Sequence, residues 1–588
     1  MTIKPLNAQE SKTAMNVALG KEKADLAIID ANVLNVYTGE FLDKHSVSVK
    51  GRHIVYVGDN AGHTVGPDTI VIDAKGKTLI PGLIEGHTHL AWMFNIGEFL
   101  RYAMKGGTTT IITESMEAFA VMGYEGVLEF LASLENQPVK ILSTAPAMIS
   151  VSHAAFGVPR EIIRKLMSRK DIVGIGESYW QAVFQEPDKI LPCFEEALLA
   201  GKTLEGHSAG AKGNKLTGYA ALGISSCHEP ITAREVIERL RLGIYVMVRE
   251  GSIRRDLETI SEIKDSGISL RRLALATDGV QPEDLMEKGY MEFVVQKAID
   301  SGFDPIAAVQ MATLNVAEHF HLDAHIGGIA PGKYADMLII PDPRKIEAEY
   351  VISNGHIICH EGNLLVSPRQ HIFSEQSRNT VNLPVKFRAS DFCIRPETTA
   401  SSLEVRVIEM KTDLVTKETK QTLPVTEGEI RSDMTRDILK IAAIDRRIHP
   451  GKIFTGLIKG FGMKAGAIAS SAAWDTSDII VVGADDSDMA AAVNRIYDLQ
   501  GGAVLCVNGI IIEEIPMPVM GIISDLPMET LVQKIKSMRK TLSELGCLFP
   551  DPLLTLVALT GAAIPYLRIC EEGLVNLKDG KTLGLFFD

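Results

Sequence analysis

The sequence predicts an α/β fold: a (β/α)8 TIM-like barrel with a split small β module and an additional C-terminal α+β domain. Three observations carry this. Residues 80–326 alternate strand-like and helix-like patterns, the signature of parallel βα units. Eight strand candidates fall in that span, and roughly 250 residues is the usual size of such a barrel. No glycine-rich dinucleotide fingerprint follows any of them, which disfavours an open doubly wound sheet.

Residues 1–23 read as a polar, helical lead-in. From Asp25 short apolar runs alternate with turn residues: Leu26–Ile29, Asn32–Val36, Val47–Val49 and Arg52–Val57, separated by Asp30-Ala-Asn, Tyr37-Thr-Gly-Glu and Gly51-Arg. This small β module resumes at Met337–Ile340 and at Val351-Ile-Ser-Asn-Gly-His-Ile-Ile. The barrel strands are expected at Leu79–His89, Thr108–Thr113, Val139–Pro146, Ile172–Ser178, Lys202–His207, Gly223–His228, Ile244–Glu250 and Arg272–Asp278. Helices are expected at Pro159–Ser168, Ala233–Arg241 and Met291–Gly302. A polar stretch from Ser374 reads as a linker. Beyond it, Ser487–Leu499 and Ser524–Leu545 read as helices, the first favoured by Asp485, Asp486 and Asp488 and the second entered through Pro527. The expected division is 1–79 (lead-in and first part of the β module), 80–326 (barrel), 327–372 (second part of the module) and 373–588 (C-terminal α+β domain). That last region is expected either to close over the barrel mouth or to form a subunit contact, which admits a homo-oligomer.

Composition narrows the class of function. A net charge of −14 argues against nucleic acid or an anionic membrane surface as partner. The longest apolar stretch, around Leu553–Leu567, is too short to span a bilayer and contains Pro565. The N-terminus lacks the apolar core of a signal peptide, and the seven cysteines include no Cys-x-x-Cys pair. A cytoplasmic protein with reduced thiols and a small-molecule substrate is the expectation.

Chemistry in a (β/α)8 barrel sits at the C-terminal ends of the strands. His87 and His89, two residues apart at the end of an apolar run, share one face of a strand and project together. The later strand ends bring Glu114, Glu177 (Gly-Ile-Gly-Glu), His207 (Glu-Gly-His-Ser), His228 (Ser-Cys-His-Glu) and Asp278 (Ala-Thr-Asp-Gly). Leaving Glu114 aside, six nitrogen and oxygen donors suffice for two first-row metals sharing a bridging carboxylate. Singly, each has a plainer reading: Glu177 as a solvated carboxylate, His207 and His228 as hydrogen-bonded core histidines, Asp278 as a helix cap. Glu114, Glu117 and Glu229 read equally as loop ion-pair partners.

On these residues the chain resembles the metal-dependent amidohydrolase superfamily and, within it, the bacterial adenine deaminases. Gly106-Gly-Thr-Thr-Thr, Arg249-Glu-Gly-Ser, Gln310-Met-Ala-Thr-Leu-Asn-Val-Ala-Glu and Ile329-Ala-Pro-Gly-Lys-Tyr-Ala-Asp carry the likeness in the first part. Ile479-Ile-Val-Val-Gly and Leu545-Gly-Cys-Leu-Phe-Pro-Asp-Pro carry it in the C-terminal region, which most amidohydrolases lack. The resemblance implies hydrolysis of adenine to hypoxanthine and ammonia at two divalent metals per chain, manganese or iron, with zinc compatible. On that basis His87, His89, Glu177 and Asp278 are expected on one metal and His207 and His228 on the second, with Glu177 bridging. Asp278 would carry the water proton, and Glu229 or Glu117 would protonate a ring nitrogen. Trp92 and Glu114 are the expected substrate contacts. Several neighbours depart from the family pattern: Leu90-Ala-Trp-Met-Phe stands where Ile-Glu-Ser-Ser-Met is usual. Glu114-Ser-Met-Glu stands for Asp-Pro-His-Glu, Ser226-Cys-His-Glu for Ser-Asp-His-Glu, Thr277-Asp-Gly for Thr-Asp-Asp, and Trp474-Asp-Thr-Ser for His-Asp-Ser-His. Two alternatives therefore stay open: an amidohydrolase for another heterocyclic amine or cyclic amide, and a non-catalytic metal-binding relative. Cyclic amidases of the dihydroorotase and hydantoinase kind usually carry a carboxylated lysine where Glu177 stands, and no lysine is near it.

Overall fold

A computed structural model describes residues 3–147, 150–155, 157–564 and 566–587. Eight parallel strands form its centre: β1 (Leu83–Thr88), β2 (Thr108–Thr113), β3 (Lys140–Ala145), β4 (Ile172–Tyr179), β5 (Thr203–His207), β6 (Ser226–Cys227), β7 (Tyr245–Arg249) and β8 (Leu273–Ala276). They are hydrogen-bonded in chain order from β1 to β8. All residues of β2 and β4 are buried, as expected of strands covered on both faces. The two ends of the series meet where Asp278 N–H donates to the His87 carbonyl at 3.0 Å and Thr277 N–H donates to the Glu85 carboxylate at 3.1 Å. These bonds nearly close the barrel at the C-terminal ends of its strands.

The expected first strand, Leu79–His89, is two strands. Thr78–Pro81 pairs antiparallel with Met337–Ile340 in the small β sheet, while Leu83–Thr88 enters the barrel. Gly82 makes the step between sheets: a Cβ there would lie 2.3 Å from Thr109 Oγ1, so only glycine allows this approach. The turn expected at Asp30-Ala-Asn is instead an irregularity inside one long strand, Leu26–Asn35, where Asp30 takes φ 56° and the register shifts. The sixth barrel strand shrinks from the expected Gly223–His228 to Ser226–Cys227.

The small sheet has nine strands drawn from both sides of the barrel sequence. It is tied to the barrel by a buried ion pair, in which Lys140 Nζ donates to both Asp336 oxygens at 2.8 and 2.7 Å. The N-terminal lead-in is a helix, Ala8–Ala18, capped by the Asn7 side chain.

The C-terminal region carries an eight-stranded sheet packed by the helix Asp486–Leu499, whose first N–H groups are taken up by Asp485. The polar stretch read as a linker is packed: Ser377 is buried and its carbonyl accepts from Met520 N–H at 2.6 Å. Two contacts seat this region on the mouth of the barrel. Ile523–Ser524 pairs in parallel with Met93–Phe94, just beyond His89. Arg447 Nη1 donates to the Phe119 and Ala120 carbonyls at 2.8 and 2.7 Å, where the helix Met116–Leu134 is kinked at Gly123. Among the described residues no helix is long and apolar enough to cross a membrane.

Candidate metal centre and substrate cavity

The ends of β1, β5, β6 and β8 bring five donors around the Glu177 carboxylate at the end of β4. Glu177 Oε1 lies 3.2 Å from His87 Nε2, 3.7 Å from His89 Nε2 and 2.7 Å from His228 Nε2. Its other oxygen lies 3.7 Å from His207 Nδ1. Asp278 Oδ1 is 3.2 Å from His87 Nε2 and 3.5 Å from His89 Nε2. Two overlapping groups converge closely enough to share a cation: His87, Glu177, His228 and Asp278, and His207, His228 and Glu229. Glu229, expected only in proton transfer, thus stands within ligand reach, its Oε1 3.6 Å from His207 and 3.4 Å from His228.

The donor set fits divalent cations. Ligands about 2.0–2.2 Å from one ion are separated from each other by roughly 3–3.5 Å, close to most of the spacings observed. His207 Nδ1 and His228 Nε2 are buried without a hydrogen-bond partner, although the latter is close to Glu177. Unpaired buried nitrogens are costly unless something else satisfies them. Cysteine is absent from the group, so imidazole and carboxylate oxygen define a borderline-to-hard site.

Electrostatics point the same way. Burial opposes ionisation of Glu177, but the facing histidines outweigh it and hold its carboxyl well below the usual range. Asp278 is likewise depressed, against its burial, by His87, His89 and then the charges of His228 and Arg249. Burial would lower His87, yet its bonds to Asp278 and Glu177 push it up to about 10. His228 is lowered, by burial and by the neighbouring His87. A pocket that forces positive charge onto an imidazole is one in which a metal cation can replace that proton.

His89 is oriented from behind. Its Nδ1 meets Glu117 Oε1 at 2.5 Å, which turns Nε2 toward Glu177 and Asp278. Glu117 is in the first turn of Met116–Leu134, so its carboxylate is presented beside the β1 end. Arg249, the last residue of β7, pairs with Glu229 and reaches Asp278 Oδ2 at 3.2 Å and Asp256 at 3.3 Å. Burial works against Glu229 ionisation, but Arg249 and His207 overcome it.

Above the cluster is a cavity of about 550 Å³, within the range of small-molecule sites. His89, Glu177, His207, Glu229, Arg249 and Asp278 form its polar floor, with Glu117 at the edge. Trp92 and Met116 form an apolar flank. Glu114 does not line it: buried behind His87, it accepts from Glu177 N–H at 3.3 Å and is pushed up to about 7 by burial. Tyr179, Arg249, Trp474 and Asp475 are among the lining residues to which the sequence assigned no role. Arg249 had a visible signal, an arginine ending an otherwise apolar strand. Trp474 and Asp475 meet the cavity from almost 200 residues beyond β8.

The amidohydrolase family profile matches residues 78–363, and that of the adenine deaminase C-terminal domain matches residues 413–581. An adenine deaminase of Moorella thermoacetica is 34% identical over 99% of both chains. Adenine deaminases of Clostridium botulinum (98% of both chains) and Cenarchaeum symbiosum (98% of this chain, 95% of that protein) are each 32% identical. Among solved structures, molinate hydrolase superposes with a TM-score of 0.46 at 18% identity, covering 57% of this chain and 95% of its own.

Proposed function

The chain belongs to the adenine deaminase family of metal-dependent amidohydrolases, and from that premise we propose how its own residues convert adenine and water to hypoxanthine and ammonia. One observation carries the reading: five donors from four other strand ends surround the two oxygens of Glu177 on the floor of a cavity. His87, His89, Glu177 and Asp278 would hold one divalent cation and His207 and His228 a second, with Glu177 offering an oxygen to each and Glu229 in reach of the second. That donor set would suit manganese or iron, with zinc compatible, and the bound ion would supply Lewis acidity and lower the pKa of the attacking water.

The chain's side chains then manage two protons. Asp278, kept ionised by its histidine neighbours and Arg249, accepts the first proton from the attacking water and delivers it to the departing exocyclic nitrogen. The second must reach a ring nitrogen so that the product carries N–H there. Glu229, ionised beside Arg249 and facing the cavity, would take this second proton from the hydroxyl left by the attacking water and hand it to the ring nitrogen. Glu117 keeps the His89 Nδ1 proton and so fixes the ligand tautomer. Trp92 and Met116 give the purine an apolar surface. The substrate is thus a small purine base. The seven cysteines, all free thiols, suit a reducing cytoplasm.

The test is ammonia release from adenine by protein loaded with manganese, against metal-stripped protein. Equimolar ammonia and hypoxanthine, lost on stripping and regained on reloading, support the reading. Metal-loaded protein that leaves adenine unchanged but releases ammonia or a carboxylate from another heterocycle overturns it.

A further inference from the structure

The barrel alone does not enclose the cavity. Leu414, Val415, Trp474, Asp475, Ala563 and Ile564 of the C-terminal region complete it. We propose that Trp474 and Asp475 are substrate-positioning residues: the Trp474 indole, with Trp92, covers the base, and the Asp475 carboxylate accepts a hydrogen bond from a ring N–H. This rests on the adenine reading and assigns the recognition of the base to residues outside the barrel.

Three observations carry it. First, the pair is fixed in place before any substrate arrives. Tyr179 Oη donates to Asp475 Oδ1 at 3.1 Å and Ala562 N–H donates to Oδ2 at 2.7 Å. Thr560 Oγ1 donates to the Trp474 carbonyl at 2.8 Å. Asp475 sits at φ 58°, in the left-handed region that aspartate enters more readily than most side chains, and its two accepted hydrogen bonds hold it there. Positions held this way favour binding because little ordering remains to be done.

Second, the chemistry of this side of the cavity matches a flat heterocycle. Trp92 and Trp474 meet edge-on with centroids 5.7 Å apart, and Met116 and Val415 extend the apolar surface. Aromatic walls contact a π-face, whereas a single polar group at their border fixes the in-plane orientation. Each Asp475 oxygen accepts one bond and keeps a lone-pair site for a further donor.

Third, the carboxylate is in want of donors. It is only 8% exposed. Burial pushes it up to about 7 in spite of the Ala562 N–H, and Glu177 adds to the push. A substrate N–H pointing at it would relieve that desolvation, which an alkylated ring nitrogen could not do. Sites built to bond a particular N–H discriminate strongly against analogues lacking it.

The test compares adenine with 7-methyladenine and 9-methyladenine in the manganese-loaded full chain. For Asp475→Asn the expected result is a KM for adenine raised about tenfold or more with kcat within about threefold. The preference for adenine over the methylated base that wild type rejects should collapse. Equal losses for all three bases, or an unchanged KM for adenine, overturn the role of Asp475. Tyr179→Phe, which removes a tie but leaves the carboxylate, should keep the preference. If Asp475→Asn does not fold, Trp474→Ala decides: equilibrium binding of adenine's product, hypoxanthine, should weaken at least fivefold, and unchanged binding overturns the proposal. Wild-type turnover of adenine tests the underlying reading separately, because it does not depend on either variant.

Discussion

Replacing Glu117 separates two roles that one carboxylate at this position could have. Its Oε1 is 2.5 Å from His89 Nδ1, and the opposite ring nitrogen faces Glu177 and Asp278. A carboxylate in this position raises imidazole basicity and fixes the tautomer, and losing such a partner typically costs about 10–100-fold in metal affinity. That range corresponds to about 1.4–2.7 kcal/mol. Glu117→Gln retains a neutral acceptor of the same length, so it should fall near the tenfold end. Glu117→Ala removes the acceptor altogether and should approach a hundredfold. The assay is competition for manganese between apo-protein and a chromophoric chelator, with kcat measured at saturating metal. Recovery of most activity at high manganese is the expected companion result. Unchanged affinity together with a kcat reduced a hundredfold or more would refute the orienting role and assign Glu117 to proton transfer.

Three further outcomes follow from the same geometry. Asp278→Asn should lower kcat by roughly 10²–10⁴, the usual contribution of a positioned acid–base group, with adenine hydrolysis as the readout. Lys140→Met strands the Asp336 carboxylate in the interior between barrel and small sheet, and urea unfolding should show a loss of about 3–5 kcal/mol. Pairing it with Asp336→Asn should recover most of that loss. Glu292 is pushed up to about 7 by burial, and its Oε2 has no hydrogen-bond partner. The folded chain therefore holds a proton that the unfolded chain releases as pH climbs from about 4.5 to 7, so Glu292 costs stability increasingly over that window. Glu292→Gln should be more stable than wild type by roughly 1–3 kcal/mol above pH 7 and gain little below pH 4.5. A gain independent of pH would contradict this.

The barrel and the cluster of donor side chains were legible because both obey local rules. His87 and His89 stand two residues apart at the end of an apolar run, Glu177, His207 and His228 stand at or just beyond the ends of successive βα-unit strands, and the fold fixes which end of a strand carries chemistry. Strand limits were harder. Pro81 and Gly82 carry the chain from one sheet to another with no break in hydrophobicity, so Leu79–His89 reads as a single strand. Glu114 shows a finer difficulty: its place immediately after β2 suggests the mouth, yet its side chain is turned behind His87 toward Glu177 N–H. Neither composition nor periodicity marks Trp474 and Asp475 as cavity residues; only the resemblance singles out Trp474-Asp-Thr-Ser, where the family carries His-Asp-Ser-His. Their position depends on how the C-terminal sheet docks, through Met93–Phe94 and Arg447, and such contacts leave no periodicity in the sequence.

The claim on which the rest depends is that Glu177 joins two groups of donors around divalent ions. It is tested most directly by anomalous diffraction from crystals of manganese-loaded protein, recorded at the manganese absorption edge. Two peaks roughly 3.5–4 Å apart, one on each side of the Glu177 carboxylate, are expected. A map with manganese elsewhere in the molecule and none among His87, His89, His207, His228 and Asp278 would contradict it.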